Sequence, residues 1–553
     1  MKRLMKKIMN IFCMSLLGCA LSAPLTSCSS DEVEGDAPRN WAETTEKFES
    51  NAENENGFGT FYTPSLGRVG DPMPFFDKKA GEFKVLYLQE FLNNGDKRFH
   101  PYWGVATSDG CNYRSMGEVL PYGETDYQQD AALGTGCAYY DESEDLYYIY
   151  YTAHNGLCKN REVVMRATSK DFKTWTKDNL WALNGPDYGY WGENFRDPQI
   201  FVADDGAYRM LIVTAPKEGK PLFVEFKSTD LKNWTHVGSF KMVWNDRMCE
   251  CPDVFKMGNY WYMVFSEAPA YSRQVKYVMA DSWENLKNQF DPPKWIGGDE
   301  DRSKLDSRAF YAGKTASNGT DRFIWGWCPY RSGSNIDEKN LDVKPDKEPN
   351  WSGALVCHKI LQHEDGSLSL TAVPALAGKY NKQQPVNVMA SNGYQDGKLS
   401  GDDAYVLYNR LGDCNHMSFT IKTAGNSDKF GISLVRSTSA QYYYTMVINP
   451  EDNGNKRKVN FEQEGYIIKK NDNGEEEKVY GQGFVAGIDS YMFPRPADNT
   501  YKIDIYTDNN VVVMYINDNV CYTQRIYGVR KNCWSINSYG GTITISDVKV
   551  SQQ

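Results

Sequence analysis

The sequence predicts an all-β protein, a β-propeller followed by a β-sandwich, and three observations carry that prediction. From about residue 57 to 375 the apolar runs are short and rich in Tyr, Val, Ile, Phe and Trp. Gly, Asp and Asn punctuate them, and no amphipathic helix of convincing length appears. One hairpin ending also recurs. It reads Ala106-Thr107-Ser108-Asp109, then Ala-Thr-Ser-Lys-Asp-Phe-Lys-Thr-Trp over Ala167 to Trp175, then Lys-Ser-Thr-Asp-Leu-Lys-Asn-Trp over Lys227 to Trp234, and more loosely Met279-Ala280-Asp281-Ser282-Trp283. A period of roughly 50 to 60 residues is the size of a four-stranded blade with generous loops. Beyond about residue 385 alternating stretches persist but the ending disappears, which points to antiparallel strands joined by Asn/Asp/Gly turns in a sandwich.

Taken in order, residues 1–27 read as an export leader. Lys2, Arg3, Lys6 and Lys7 form its cationic start, and Ile8 to Ala23 is an apolar stretch too short to span a bilayer. It ends in Leu25-Thr26-Ser27-Cys28, which resembles a bacterial lipobox and implies lipidation of Cys28. Such a terminus can carry more than one acyl chain, which is what stable anchoring takes. Residues 28–56 then form an acidic tether, beginning Ser-Ser-Asp-Glu-Val-Glu-Gly-Asp after the cysteine, with little to bury. It is similar to the surface-export signal of some Gram-negative lipoproteins, so the expectation is an outer-membrane lipoprotein facing the cell exterior. Residues 57–380 make the propeller, with strands expected at Phe83 to Phe91, Leu146 to Thr152, Tyr208 to Thr214, Tyr260 to Phe265 and Arg322 to Trp327. Residues 381–553 make the sandwich, with strands expected at Met417 to Lys422, Gly431 to Val435, Tyr442 to Ile448 and Tyr501 to Tyr506.

Composition narrows the function. A chain of 553 residues suits two domains, each with its own core. The net charge of -11, with no Lys/Arg-rich run beyond the leader, argues against a nucleic-acid partner. Aromatics make up 14%, including 37 Tyr and 14 Trp. Their flat faces suit sugar rings, although most serve as half-buried strand residues. Of 13 cysteines, Cys13 and Cys19 lie in the leader and Cys28 ends it, which leaves ten. None forms a Cys-x-x-Cys pair and the six histidines are scattered, so neither a zinc site nor a thiol redox motif is visible. Cys249 and Cys251 read as buried thiols. Disulfides stay open at this level.

The chemistry lies in three acidic contexts: Gly70-Asp71-Pro72, Arg196-Asp197-Pro198 and Glu250-Cys251-Pro252-Asp253. Each sets a carboxylate beside a proline. Glycosidic cleavage needs one carboxylate to attack or stabilise an oxocarbenium-like carbon, and a protonated one to donate to the leaving oxygen. Their order resembles glycoside hydrolase family 32, the β-fructofuranosidases of levanase and inulinase type. The resemblance runs from about Gly57 to near the end. It is most specific where Phe195-Arg196-Asp197-Pro198 is followed by Glu250-Cys251-Pro252-Asp253. It implies a five-bladed propeller, with Asp71 as nucleophile of a retaining double displacement, Asp197 as transition-state stabiliser and Glu250 as acid/base. It further implies substrate contacts from Gln89, Trp103, Arg196 and Tyr311, the last within Ala309-Phe310-Tyr311-Ala312. Trp351-Ser352-Gly353 resembles the closing segment before the sandwich, and Ile503 to Tyr527 resembles the sandwich's final hairpin. No metal or organic cofactor is implied. The implied partners are a fructan, levan or inulin, the membrane through the lipid anchor alone, and other glycan-uptake proteins at the surface.

One departure stands out. The family's nucleophile usually has Asn on both sides of its Asp-Pro pair and an aromatic just upstream, whereas here Gly70 precedes Asp71 and Met73-Pro74 follows Pro72. Two other readings therefore stay open: an inverting family 43-like glycosidase acting on arabinan or xylan, and a non-catalytic glycan-binding surface lipoprotein.

Overall fold

The computed structural model describes residues 59–553 apart from 65–66, 92–99, 215–220, 242–247, 269–272, 332–348, 437–442, 472, 481–482, 485–490, 527 and 530–531. The leader, Cys28 and the tether lie outside the described residues. Among the described residues no helix is long and apolar enough to cross a membrane.

The first blade is β1 (Arg68–Asp77), β2 (Glu82–Glu90), β3 (Tyr102–Thr107) and β4 (Arg114–Leu120), and the second is β5 (Ala132–Asp141), β6 (Leu146–His154), β7 (Glu162–Ser169) and β8 (Thr176–Leu183). The third is β9 (Phe195–Val202), β10 (Tyr208–Thr214), β11 (Leu222–Ser228) and β12 (Thr235–Lys241). The fourth has only β13 (Cys249–Met257), β14 (Tyr260–Glu267) and β15 (Gln274–Ala280). The fifth is β16 (Tyr311–Ser317), β17 (Arg322–Arg331), β18 (Pro349–Gln362) and β19 (Leu368–Thr371). All pairings are antiparallel, and the first strands of successive blades, β1, β5, β9, β13 and β16, lie side by side in a closed ring. The fold is thus a five-bladed propeller. Its first and last blades share a continuous sheet through the Val69 to Gly353 pairing of β1 with β18.

The repeated ending is the turn between the third and fourth strands of a blade. In the second blade the Phe172 N–H donates to Ser169 Oγ at 2.9 Å, and those of Lys173 and Thr174 donate to Asp171 Oδ1 at 2.8 Å. In the third, Lys232 and Asn233 donate likewise to Asp230 Oδ1 at 2.9 and 2.8 Å. The middle residues Phe172 and Leu231 have φ near 60° (60° and 57°), a left-handed turn that side-chain hydrogen bonding sustains. The fourth copy is looser because the chain there enters the short helix Trp283–Lys287, capped by Ser282, instead of a fourth strand.

The sandwich packs two eight-stranded sheets around Trp534, Met446, Ile505 and Ile536. One sheet pairs Thr542–Gln552 with Cys414–Thr423, and the other sets Cys533–Ser538 between Ala404–Arg410 and Phe430–Arg436. The hairpins of Thr500–Asp508, Val511–Ile516 and Val520–Arg525 turn where the Asn/Asp clusters indicate. They are not final, however: Cys533–Ser538 and Thr542–Gln552 follow and take inner places in the two sheets.

Candidate active site

Every strand of the inner ring carries one β-bulge, and the five bulges build the site. In β1, Gly70 and Asp71 oppose Leu88, because Val69 pairs Gln89 while Pro72 pairs Tyr87. In β5 the extra residue is Thr135. Asp197-Pro198 in β9, Cys251-Pro252 in β13 and Ala312-Gly313 in β16 complete the set. Proline lacks the N–H that a ladder position would use, so Asp-Pro and Cys-Pro are sequences suited to a bulge. Asp197, Cys251 and Ala312 have φ of 58°, 52° and 54°. Left-handed backbone at non-glycine residues costs about 1–3 kcal/mol each, strain that surrounding structure must hold and that gathers at functional sites.

The bulges join carboxylates from three blades. Asp71, Asp197 and Glu250 are 0%, 3% and 2% exposed. The N–H of Cys251 donates to Asp197 Oδ2 at 2.8 Å, and the Cys251 thiol stands 4.0 Å from Asp71 Oδ2, so the residue after Glu250 touches both other acids. Asp71 is aimed by two donors, Thr135 Oγ1 at 2.6 Å on Oδ2 and Trp327 Nε1 at 2.9 Å on Oδ1. A relay links it to the third blade: the Asp197 N–H donates to Thr152 Oγ1 at 3.0 Å, and Thr152 Oγ1 donates to the Thr135 carbonyl at 2.7 Å.

Arg196 supplies the positive charge. Its Nη2 donates to Glu250 Oε1 at 2.8 Å and its Nη1 to Glu162 Oε2 at 3.2 Å, all three residues being buried. Tyr311 donates its hydroxyl to Glu250 Oε2 at 3.0 Å. Burial pushes the Asp197 carboxyl up to about 7, against the pull of Arg196 and with the charges of Glu250 and Asp71 adding to the rise. Burial likewise raises Glu250, opposed by Arg196 and Tyr311 and assisted by Asp71. Glu162 ends below the usual carboxylate range because Arg196 and His154 outweigh its burial. Burial and the neighbouring carboxylates thus push both Asp197 and Glu250 toward their protonated forms, and for Glu250 that is the direction a proton donor needs.

Of the remaining sequence-predicted residues, Arg196 and Tyr311 lie on the ring, Gln89 on the second strand of the first blade, and Trp103 on its third strand, away from the carboxylates. Arg196 and Tyr311 touch Glu250 directly. Gln89 is buried in β2 opposite Val69, next to the bulge that holds Asp71. Trp103 is 2% exposed in β3, packed in the propeller core edge-on to Phe91 at 6.3 Å.

Thr135, Thr152, Trp327, Cys251 and Trp351 do not stand out from sequence as site residues. The first two are lone hydroxyls in apolar strands. The Trp-x-Trp alternation of Trp325-Gly326-Trp327 is a usable signal for a same-face pair. Trp351 answers the departure at position 70. A Cβ on Gly70 would stand 2.6 Å from Trp351 Cη2 and Cζ2 and 2.9 Å from the Leu88 carbonyl, so the indole fills the room that a side chain would take. Trp351 packs against Cys251, Tyr311 and Trp327 and lies 4.5 Å, ring to ring, from His100. Further along the same five inner strands lies a cavity of about 300 Å³ whose lining includes Gln199, Asp253 and Lys314 and none of the three carboxylates.

A propeller with acids converging on its axis, followed by a sandwich, defines a class of glycoside hydrolase folds. Residues 62–374 match the "Glycosyl hydrolases family 32 N-terminal domain" and residues 366–550 match "GH32, BT1760-like, C-terminal domain". The chain belongs to glycoside hydrolase family 32. Among curated relatives it is 25% identical over 343 residues to sucrose-6-phosphate hydrolase of Staphylococcus xylosus, covering 60% of this chain and 66% of that protein. It is 25% identical over 320 residues to raffinose invertase of Escherichia coli, covering 53% and 60%. The chain thus spans just under two thirds of the length of these relatives. Among solved structures, sucrose-6-phosphate hydrolase from Lactobacillus gasseri shares the fold with a TM-score of 0.65 at 15% identity, covering 93% of this chain and 98% of that one. Exo-inulinase from Aspergillus awamori does so with a TM-score of 0.64 at 14% identity, covering 91% and 98%.

Proposed function

We propose that the protein is a retaining β-fructosidase that cleaves fructan, levan or inulin, at the cell surface. The observation that carries this reading is the meeting of Asp71, Asp197 and Glu250 around Cys251 on the ring of bulges. Asp71 attacks the anomeric carbon of the fructosyl unit, the glycosidic C–O bond breaks, and the leaving oxygen takes the proton of Glu250. Glu250, now a carboxylate, removes a proton from water, whose oxygen attacks the same carbon and releases Asp71. Asp197 holds sugar hydroxyls as charge develops, while Arg196 and Tyr311 orient Glu250. Gln89, next to the Asp71 bulge, faces the first subsite from β2, and Trp103 serves it only as core packing from β3. The curated relatives named sucrose-6-phosphate hydrolase and raffinose invertase support a fructosyl-type substrate. A polymeric substrate fits an anchored enzyme facing outward, held through Cys28 and working beside other glycan-uptake proteins.

The test is incubation of the purified protein with levan, inulin, sucrose and arabinan, followed by separation of products. Release of fructose or fructo-oligosaccharides from levan or inulin is expected. Cleavage of sucrose alone would remove the fructan reading, and cleavage of arabinan alone would remove the β-fructosidase reading. Globomycin-sensitive processing and surface labelling of intact cells test the anchor, which fails if the chain is found soluble in the periplasm.

A further inference from the structure

We propose that Lys314 is a positioning residue for the nucleophile, tying the β16 bulge to the β5 bulge and so holding Thr135 on Asp71. The inference rests on the reading of Asp71 as nucleophile. Lys314 stands on β16 just past the Ala312-Gly313 bulge and is 3% exposed. Its Nζ donates to the Gly136 carbonyl of β5 at 3.0 Å, and among the described residues that carbonyl is its one hydrogen-bond acceptor. In the ring β1 lies between β16 and β5, so the contact reaches past the first blade to join the fifth to the second. A buried ammonium is costly to keep. An apolar side chain of like length would fill the space without that cost, and what the lysine adds is the tie.

Gly136, the residue that Lys314 holds, directly follows the bulge residue Thr135, whose Oγ1 donates to Asp71 Oδ2 at 2.6 Å. The Gly136 N–H donates to Met73 Sδ at 3.1 Å, so Gly136 is held by the first blade through its N–H and by the fifth through its carbonyl. Met73 is one of the departures from the family pattern, and it lies buried just past the Asp71-Pro72 bulge. A Cβ at Gly136 would stand 2.2 Å from the Tyr150 carbonyl and 2.6 Å from the Tyr102 hydroxyl, so this backbone runs too close to its neighbours to carry a side chain. On the other flank of the β16 bulge, Tyr311 donates to Glu250 Oε2 at 3.0 Å. Lys314 therefore fastens the strand that aims the nucleophile to the strand that holds the acid/base. Its charge is felt in the site as well: burial pushes the Cys251 thiol up, Asp71 and Asp197 add to the rise, and Lys314 opposes it. Reacting groups must be held within about 0.5 Å of their productive geometry by the groups behind them, and a join between two bulges of the ring does that for Asp71.

The test uses the full chain and whichever of sucrose, levan and inulin it cleaves, with Lys314→Met, which keeps length and apolar fill but removes the donor, with Thr135→Val, and with the two combined. Lys314→Met should lower kcat by about 10²-fold, the scale of a reacting group misplaced by about 1 Å, with KM little changed, because the loss falls on the transition state and not on substrate binding. Lys314→Arg, which keeps a cationic donor, should recover part of that loss. In the Thr135→Val background Asp71 has already lost the hydroxyl through which Lys314 acts, so adding Lys314→Met should cost less than about twofold more, the scatter of independent pairs. Should Lys314→Met not fold, Lys314→Gln, which keeps a polar side chain there, carries the same cycle. Native kcat in the Lys314 variant, or an equal loss with and without the Thr135 hydroxyl, would overturn the proposal and leave Lys314 a structural tie alone. Undiminished turnover in Asp71→Asn, or a native chain inert on all three sugars, is the separate failure of the reading beneath it and would overturn the assignment as well.

Discussion

The indole of Trp351 occupies the space beside Gly70, with ring atoms 2.6 Å from where a Cβ at position 70 would stand. The two positions are therefore one packing decision. Gly70→Asn, which puts back a side chain usual for the family, should overpack the mouth of the site and cost about 1–3 kcal/mol in urea unfolding. Adding Trp351→Ala should restore part of that loss, the Leu88 carbonyl keeping the rest. A double variant no more stable than Gly70→Asn alone would show that the ring is not the obstacle.

Glu250→Gln keeps the volume and removes the proposed proton donor. We expect turnover on whichever fructoside the native protein cleaves to fall about 10²–10⁴-fold, with binding still measurable by calorimetry. Near-normal kcat would take Glu250 out of the acid/base role.

Arg196 opposes the rise of both Glu250 and Asp197. With the guanidinium gone, both carboxyls climb further and hold their protons to higher pH. Arg196→Gln should therefore move the alkaline limb of kcat/KM upward in pH while lowering its plateau. Stability should drop by about 3–5 kcal/mol, because Glu162 and Glu250 lose a buried partner. An alkaline limb that stays put or moves down would contradict the assigned charge coupling.

Asp197 is a buried acid whose carboxyl is raised from 3.8 to about 7 in the folded protein. Its folded pKa lies above its unfolded one, so its contribution is fully present below about pH 4 and is lost as pH climbs toward 7. Asp197→Asn removes that loss. The variant should match the native protein at pH 4 and exceed it at pH 8 by a few kcal/mol, at about 1.4 kcal/mol for each pH unit between the folded and unfolded pKa, while hydrolysis collapses. Equal unfolding midpoints at pH 8 would mean that the charge is compensated in place.

Much of this is legible in the residues. Short aromatic-rich runs become strands with edges near those expected, and Tyr208–Thr214 coincides with β10. The Ser-x-Asp ending is readable because its hydrogen bonds are local, made within three residues of the serine or aspartate. Where a helix replaces the fourth strand after β15, the signal fades for the same reason. Asp71, Asp197 and Glu250 are visible because proline marks their bulges. Thr135 and Trp327, which aim Asp71, are not, since each acts across a gap of 64 or 256 residues with no local signature. The buried contact of Asp306, His358 and Cys521 between propeller and sandwich is hidden likewise: scattered histidines and unpaired cysteines say nothing about which of them a domain contact will bring together. The ten cysteines after the tether are all free thiols.

Among the described residues, no blade of this ring is woven from both ends of the propeller: the first is built from its opening strands and the fifth from its last. The seam between them is sewn by Val69 with Gly353 and by the Tyr62 strap on Leu355. The sandwich grips both lips of that seam. Asp508 accepts the N–H groups of Thr60 and Phe61 on one side, and Arg525 donates to the carbonyls of Cys328 and Pro329 on the other. The C-terminal sandwich thus works as a buckle, and a ring expressed without it should spring open along one defined line.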